Sequence, residues 1–183
     1  ISDHVDMTNI EHVASSILKI KKHAELHAGI MIVPGCELTH CPAKKIGELT
    51  ALARKLGFAY VIVHGETIAE PVEAGTNAAA IEAGVDILAH PGLITEKEVE
   101  KARQRGILLE ISARKGHSLT NGHVARLARS VGAKLVLNTD SHSPSDLITD
   151  GEGLSIVRGA GLTIDDFTEL QENAQALVRK ITG

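Results

Sequence analysis

Two stretches of the chain, Val61-Ile-Val-His-Gly-Glu66 and Ile87-Leu-Ala-His-Pro-Gly92, decide the fold, with 26 residues separating their histidines. Each is a short, β-rich apolar run that ends on an imidazole and then meets a glycine. Uninterrupted Val, Ile and Leu, without polar alternation, is what a strand buried on both faces presents. The same pattern extends to Ile30–Cys36, Phe58–His64, Val85–His90, Ile107–Ser112 and Lys134–Asp140. Helical segments fill the gaps. Thr95 with Glu98 reads as a capping box, with Gly106 as the stop. Thr8 with Glu11 and Thr163 with Asp166 read as two further starts, and Pro42 and Pro144 stand as first helical residues after Cys41 and Ser143. Phe167, Leu170, Ala174, Leu177, Val178 and Ile181 give the last helix one packing face. The alternation predicts an α/β fold with a parallel sheet and one domain over residues 1–183.

Composition narrows the function. Of 183 residues, 43% are hydrophobic and 23% charged, a globular balance. No apolar run approaches the ~20 residues of a membrane span, and no signal peptide opens the chain. Two cysteines, Cys36 and Cys41, form no disulfide framework and fit a reducing cytosol. A net charge of −4 and only three aromatic residues argue against an extended nucleic-acid partner. Ten histidines in a chain without tryptophan are the conspicuous feature.

The polar residues recur in register. Glu37, His64, His90, Glu110 and Asp140 are separated by 27, 26, 20 and 30 residues, one βα unit per step, and His142 follows Asp140. Asp3-His4 repeats the feature at the start. In parallel α/β folds the carboxyl ends of the strands converge on one face, where binding and catalysis occur. Imidazoles and carboxylates gathered there suit Zn²⁺, Mn²⁺ or Fe²⁺. Paired ions turn water into hydroxide near neutral pH and screen phosphoryl charge. Gly65 and Gly92 are read as leaving room for substrate. Arg114, Lys115 and His117, before a helix, read as a cradle for a phosphorylated or acidic small molecule. Glu110 is either a ligand or a group that orients one. His12, His23 and His27 read as exposed on the first helix, His40 and His123 stay ambiguous, and Cys36 reads as a small apolar residue beneath Glu37.

Ser2-Asp-His-Val5, Gly35-Cys-Glu37, Val63-His-Gly65, Leu88-Ala-His-Pro-Gly92 and Asn138-Thr-Asp-Ser-His142 together resemble successive motifs of the PHP (polymerase and histidinol phosphatase) family, and Ser112–His123 is most similar to its stand-alone histidinol-phosphatase-like branch. The resemblance implies a distorted (βα)7 TIM-like barrel, two to three divalent ions and phosphoester hydrolysis. It implies Glu37 as a bridging ligand, with His64 and His90 completing one ion's sphere. Asp140 would bind a neighbouring ion, and His4 with His142 a third ion or the phosphate. Glu37, Asp140 and His142 would carry the catalysis. The chain departs from the family pattern in lacking the opening His-x-His strand. The barrel is therefore expected to miss its first strand or strands, about one and a half βα units, leaving edges open to a second copy or a completing chain. The resulting expectation is a phosphomonoesterase, with L-histidinol phosphate suggested by resemblance alone. The rival is a non-catalytic scaffold that binds a protein or ribonucleoprotein.

Overall fold

The computed structural model describes residues 1–183. Six strands form one parallel sheet in chain order: β1 His4–Val5, β2 Gly35–Leu38, β3 Tyr60–His64, β4 Ile87–Ala89, β5 Leu108–Ser112 and β6 Leu135–Asn138. Each strand pairs only with its neighbours in sequence, so β1 and β6 are the edges. Seven helices connect or flank them: α1 Ile10–His27, α2 Ile46–Lys55, α3 Thr76–Ala83, α4 Glu96–Arg105, α5 Asn121–Val131, α6 Asp150–Gly159 and α7 Ile164–Thr182.

The strands are buried on both faces, as their unbroken hydrophobicity requires. Alternate residues nevertheless serve different layers. Val5, Cys36, Leu38, Val61, Val63, Leu88, Leu109, Ile111 and Leu135 belong to a core of 32 buried residues shared with the helices. The residues between them point the other way. Ile62, Ile87, Ala89, Leu108 and Val136 form a second cluster, against which Tyr60, Ala174 and Leu177 pack. Ala174 and Leu177 come from α7, so part of the stripe its sequence predicted covers the inner face, while Leu170 and Phe167 pack into the larger core. Asn173, beside them, anchors α7 by donating to the Leu135 main-chain oxygen (2.9 Å).

Four of the predicted strands appear within their predicted bounds. The first is displaced: Ile30–Cys36 does not form a strand as a unit, because regular pairing starts at Gly35, and Ile30 and Met31 are exposed. Pairing with β3 begins at the same residue, Gly35 opposite Tyr60. The β1 side offers the oxygens of Ile1, Asp3 and Val5, which accept from the amides of Gly35, Glu37 and Thr39 (2.8, 2.9 and 3.1 Å). His4 lies within β1, in register with Glu37.

Helix starts show a similar mixture. Thr95–Glu98 and Thr163–Asp166 form complete capping boxes, and Gly106 ends α4 in the left-handed conformation (φ 69°). Thr8 does not cap α1; its hydroxyl donates to Asp6 (2.6 Å) and Asn9 precedes the helix. Pro42 and Pro144 lead into 3₁₀ turns, Ala43–Lys45 and Pro144–Asp146, before α2 and α6 begin. No helix is long and apolar enough to cross a membrane.

Candidate metal centre

The two-residue period that separates the layers also selects which side chains meet. His4, Glu37, His64, Glu110 and Asn138 occupy inward positions near the carboxyl ends of their strands, alternating with the core residues above. The inner face is apolar below, where α7 covers it, and polar at the rim.

Three imidazoles converge there. His64, His90 and His117 are all buried, and one ring nitrogen of each lies within 4.8 Å of the others, so together they can hold a metal ion. Their outer nitrogens are occupied. Nδ1 of His64 lies 3.2 Å from the Gly65 oxygen, Nδ1 of His90 lies 3.1 Å from Glu110 Oε1, and Nδ1 of His117 lies 2.8 Å from Thr67 Oγ1. A proton on each Nδ1 leaves the Nε2 lone pairs facing one another, the tautomer a metal ligand needs. Glu110 also accepts from Asn138 Nδ2 (2.9 Å), so its position is that of a group that orients His90.

Carboxylates flank the triad on both sides. Glu37 Oε1 lies 3.7 Å from His90 Nε2, and both atoms are buried without a hydrogen-bond partner. Two orphaned lone-pair atoms, facing each other beyond hydrogen-bond distance, are costly unless a cation lies between them. Asp140 Oδ2 is 3.7 Å from His117 Nε2. Burial pushes the Glu37 carboxyl up to about 8, against the pull of His90. Burial and the neighbouring His90 drive His64 down to about 4. In the His90–Glu110 pair, burial disfavours both charges, but their mutual hydrogen bond prevails, raising His90 and lowering Glu110.

A second chain of contacts crosses the opening between β1 and β6. Arg114 Nη1 donates to His142 Nδ1 (2.7 Å) and to the Asp140 main-chain oxygen (3.0 Å). A guanidinium only donates, so with His142 Nδ1 as its acceptor, rather than as donor to the Asp140 main-chain oxygen 3.0 Å away, the relay runs one way. His142 Nε2 then donates to His4 Nε2 (2.8 Å), His4 Nδ1 to Thr39 Oγ1 (2.7 Å), and Thr39 to the Glu37 main-chain oxygen (3.2 Å). Both nitrogens of His4 and His142 are therefore engaged with each other and with their neighbours, outside the triad. The cleft above these groups encloses about 410 Å³ and is lined by His4, His40, His64, Glu70, Arg114, His117, Asp140 and His142 among others.

Lys115 is exposed and lines an adjoining depression with Ser143, Ser145 and Asp146, which meets this cleft at Arg114 and His142. His117, read from sequence as a substrate donor, lies within the imidazole cluster, because the 3₁₀ turn His117–Thr120 folds it inward. Glu70 has no counterpart in the sequence reading; it lies in an irregular loop where no period marks it. Gly65 and Gly92 do not clear space for substrate. A Cβ on Gly92 would collide with the Glu66 main-chain oxygen, and one on Gly65 would lie 2.8 Å from Pro91 Cα, so these glycines let two backbones touch. His12, His23 and His27 are exposed on α1, Cys36 is fully buried, and His123 serves structure by donating to the Ile94 oxygen (2.7 Å).

No family model matches the chain. Its sequence is 44% identical over 168 residues to the uncharacterized protein MJ1295 of Methanocaldococcus jannaschii, covering 89% of the chain and 76% of that protein. It is 30% identical over 115 residues to a protein named probable phosphatase of Thermoanaerobacter pseudethanolicus. It is 31% identical over 107 residues to another of that name in Shewanella oneidensis. These matches cover 54% and 52% of the chain and 47% and 39% of the two phosphatases, so the chain spans less than half of each. Among solved structures, an uncharacterized protein (eah89906) and an Arabidopsis N6-mAMP deaminase share the fold, each with a TM-score of 0.59, at 13% and 15% identity. They match 94% and 97% of the chain, and 47% and 53% of their own length. On the first of these likenesses, which runs through β2–β6 and the imidazole cluster alike, the chain belongs to the family of the Methanocaldococcus protein MJ1295.

Proposed function

We propose that the chain is a metal-dependent phosphoesterase of the PHP type that acts on a small phosphomonoester, with histidinol phosphate the candidate its motifs suggest. The observation that carries this reading is the buried triad of His64, His90 and His117, with Nε2 atoms turned inward, beside an arginine at the mouth of the same cleft. The relatives named probable phosphatase support the same chemistry. The proposal includes the barrel: sequential parallel strands with unpaired edges at β1 and β6 suit a PHP barrel short of its first strand or strands, with residues 1–183 one incomplete domain. A second copy or a completing chain would then cover those edges. The free thiols of Cys36 and Cys41 suit a reducing cytosol.

The residues fit a divalent ion. The imidazole set, with the orphaned pair of Glu37 Oε1 and His90 Nε2, is a donor array that burial alone does not justify. A bound ion such as Zn²⁺, Mn²⁺ or Fe²⁺ supplies Lewis-acid polarisation of a phosphoryl oxygen and acidifies water. His64, His90 and His117 hold it, and Glu37 balances its charge. Asp140, at the inner end of the Arg114 contact, accepts the proton of the attacking water. Arg114 uses its remaining N–H groups on the phosphoryl oxygens, a planar match that a lysine does not offer. His142, whose Nδ1 lies 3.5 Å from Asp140 Oδ1, would pass the proton taken up by Asp140 on toward the leaving oxygen.

The test is phosphate release from an aryl phosphate by chelator-treated protein resupplied with Mn²⁺ or Zn²⁺. His90→Ala should cut turnover by about a hundredfold or more and Arg114→Ala should raise KM by about tenfold, as loss of a charge-assisted bond predicts. The deaminase likeness defines the alternative: ammonia released from an aminopurine nucleotide, without phosphate release, would assign the cleft to hydrolytic deamination. A metal-loaded protein inert toward every phosphomonoester offered would overturn the proposal.

A further inference from the structure

Between β3 and α3 the chain crosses the mouth of the cleft as an irregular loop, residues 65–75. Its two ends are tied down. The Glu66 carboxylate accepts from the amides of Gly75 and Asn77 (3.0 and 2.9 Å), and Thr67 contacts His117 (2.8 Å). Glu73 accepts from the Ala43 amide (3.1 Å). The span between these anchors is loose: Ile68, Ala69, Glu70 and Pro71 are exposed, and the amides of Glu70 and Val72 donate no hydrogen bond.

At the centre of that span the Glu70 carboxylate turns inward. Oε2 lies 3.4 Å from His64 Nε2 and 3.8 Å from His40 Nε2, and Oε1 lies 3.7 Å from His117 Nε2. None of these is a hydrogen bond; proper N–H···O contacts are about 2.7–3.2 Å. A carboxylate aimed at two buried ring nitrogens without bonding either is unexplained by the loop's own packing. The separations do match those of neighbouring ligands around one ion, since bonds of about 2.0–2.2 Å in tetrahedral array set ligand atoms roughly 3.4 Å apart. Of the other two acidic neighbours, Glu37 approaches the triad from the His90 side and Asp140 from the His117 side, where Arg114 also holds it.

We propose that Glu70 is a displaceable fourth ligand to an ion held by His64, His90 and His117, making the 65–75 loop a removable cap on the centre. The inference rests on the metal-centre reading above. In the closed state Glu70 completes the coordination sphere. An incoming phosphoryl group, gripped by Arg114 on the opposite wall, replaces it, and the exposed His40 is the neighbour that holds the released carboxylate.

The experiment reads the ion, not turnover. The full chain, stripped with chelator, is titrated with Co²⁺, following visible absorption and affinity against a competing chelator, for the parent, Glu70→Gln, Glu70→Asp and His64→Ala. The expected result is a Glu70→Gln affinity about tenfold or more below the parent, with a shifted Co²⁺ spectrum and partial recovery in Glu70→Asp. Added inorganic phosphate should shift the parent spectrum toward that of Glu70→Gln. If Glu70→Gln matches the parent in both affinity and spectrum while His64→Ala loses the ion, the cap is refuted and the metal-centre reading stands. A parent that takes up no Co²⁺ refutes both.

Discussion

His40, His90 and Asp140 are the non-glycine residues with positive φ, at 52°, 29° and 48°. All three lie at or just beyond the carboxyl ends of strands, around one cleft. Left-handed backbone at such residues costs about 1–3 kcal/mol each and persists where the surroundings impose it. At His90 and Asp140 it turns a side chain inward just where a strand stops, while His40 stays exposed at the rim. Glu37 stores a different cost. With its carboxyl raised to about 8 from 4.5, the ion-free fold holds a proton that the unfolded chain gives up between those values. Unfolding releases a proton in that window, so the Glu37 contribution to stability is present in full below pH 4.5 and is lost as pH rises toward 8. Thermal unfolding of chelator-treated protein at pH 5, 6.5 and 8 should therefore fall less steeply with pH in Glu37→Gln than in the parent; parallel slopes would show that Glu37 is not held protonated.

At the scale of elements, the crossing of the β3–α3 and β4–α4 loops depends on a missing side chain. Gly92 adopts φ 61° and lies against the Glu66 main chain. Gly92→Ala combines a left-handed alanine with a backbone collision that no rotamer relieves. A loss of about 3 kcal/mol is expected, measurable by urea denaturation, whereas Gly47→Ala, on α2 with open space around it, should stabilise or leave stability unchanged. The sequence reading succeeded where one local signal sufficed. His64 and His90 end continuous apolar runs, and the Thr95 and Thr163 boxes are complete within four residues. It failed where geometry depends on distant partners. Ile30–Cys36 has the composition of a strand, but its ladder with β3 begins only at Gly35, opposite Tyr60. Arg114 and Lys115 are adjacent, yet irregular backbone sends one to Asp140 and the other to solvent. His117 is five residues past the end of β5, and only the fold of its turn brings it to His90. Nothing in the sequence around Glu70 separates it from any other loop carboxylate.

For the molecule as a whole, the sheet divides labour between its faces. One side builds the main core with α2–α5; the other is sealed below by α7 and left polar at the rim. Within this frame the three clustered imidazoles come from consecutive βα units, carried by β3, the end of β4 and the turn after β5, while both sheet edges contribute none. A cation seated there would act as a rivet through the middle of the sheet. Hydrogen–deuterium exchange should then slow on metal addition at the amides of 60–64, 87–90 and 108–120, with α1 and the far end of α7 exchanging as before; uniform slowing would place the clamp elsewhere. A protein built this way carries its rigidity at the centre and its adaptability at the two margins, free to differ in what each margin meets without disturbing the imidazole cluster.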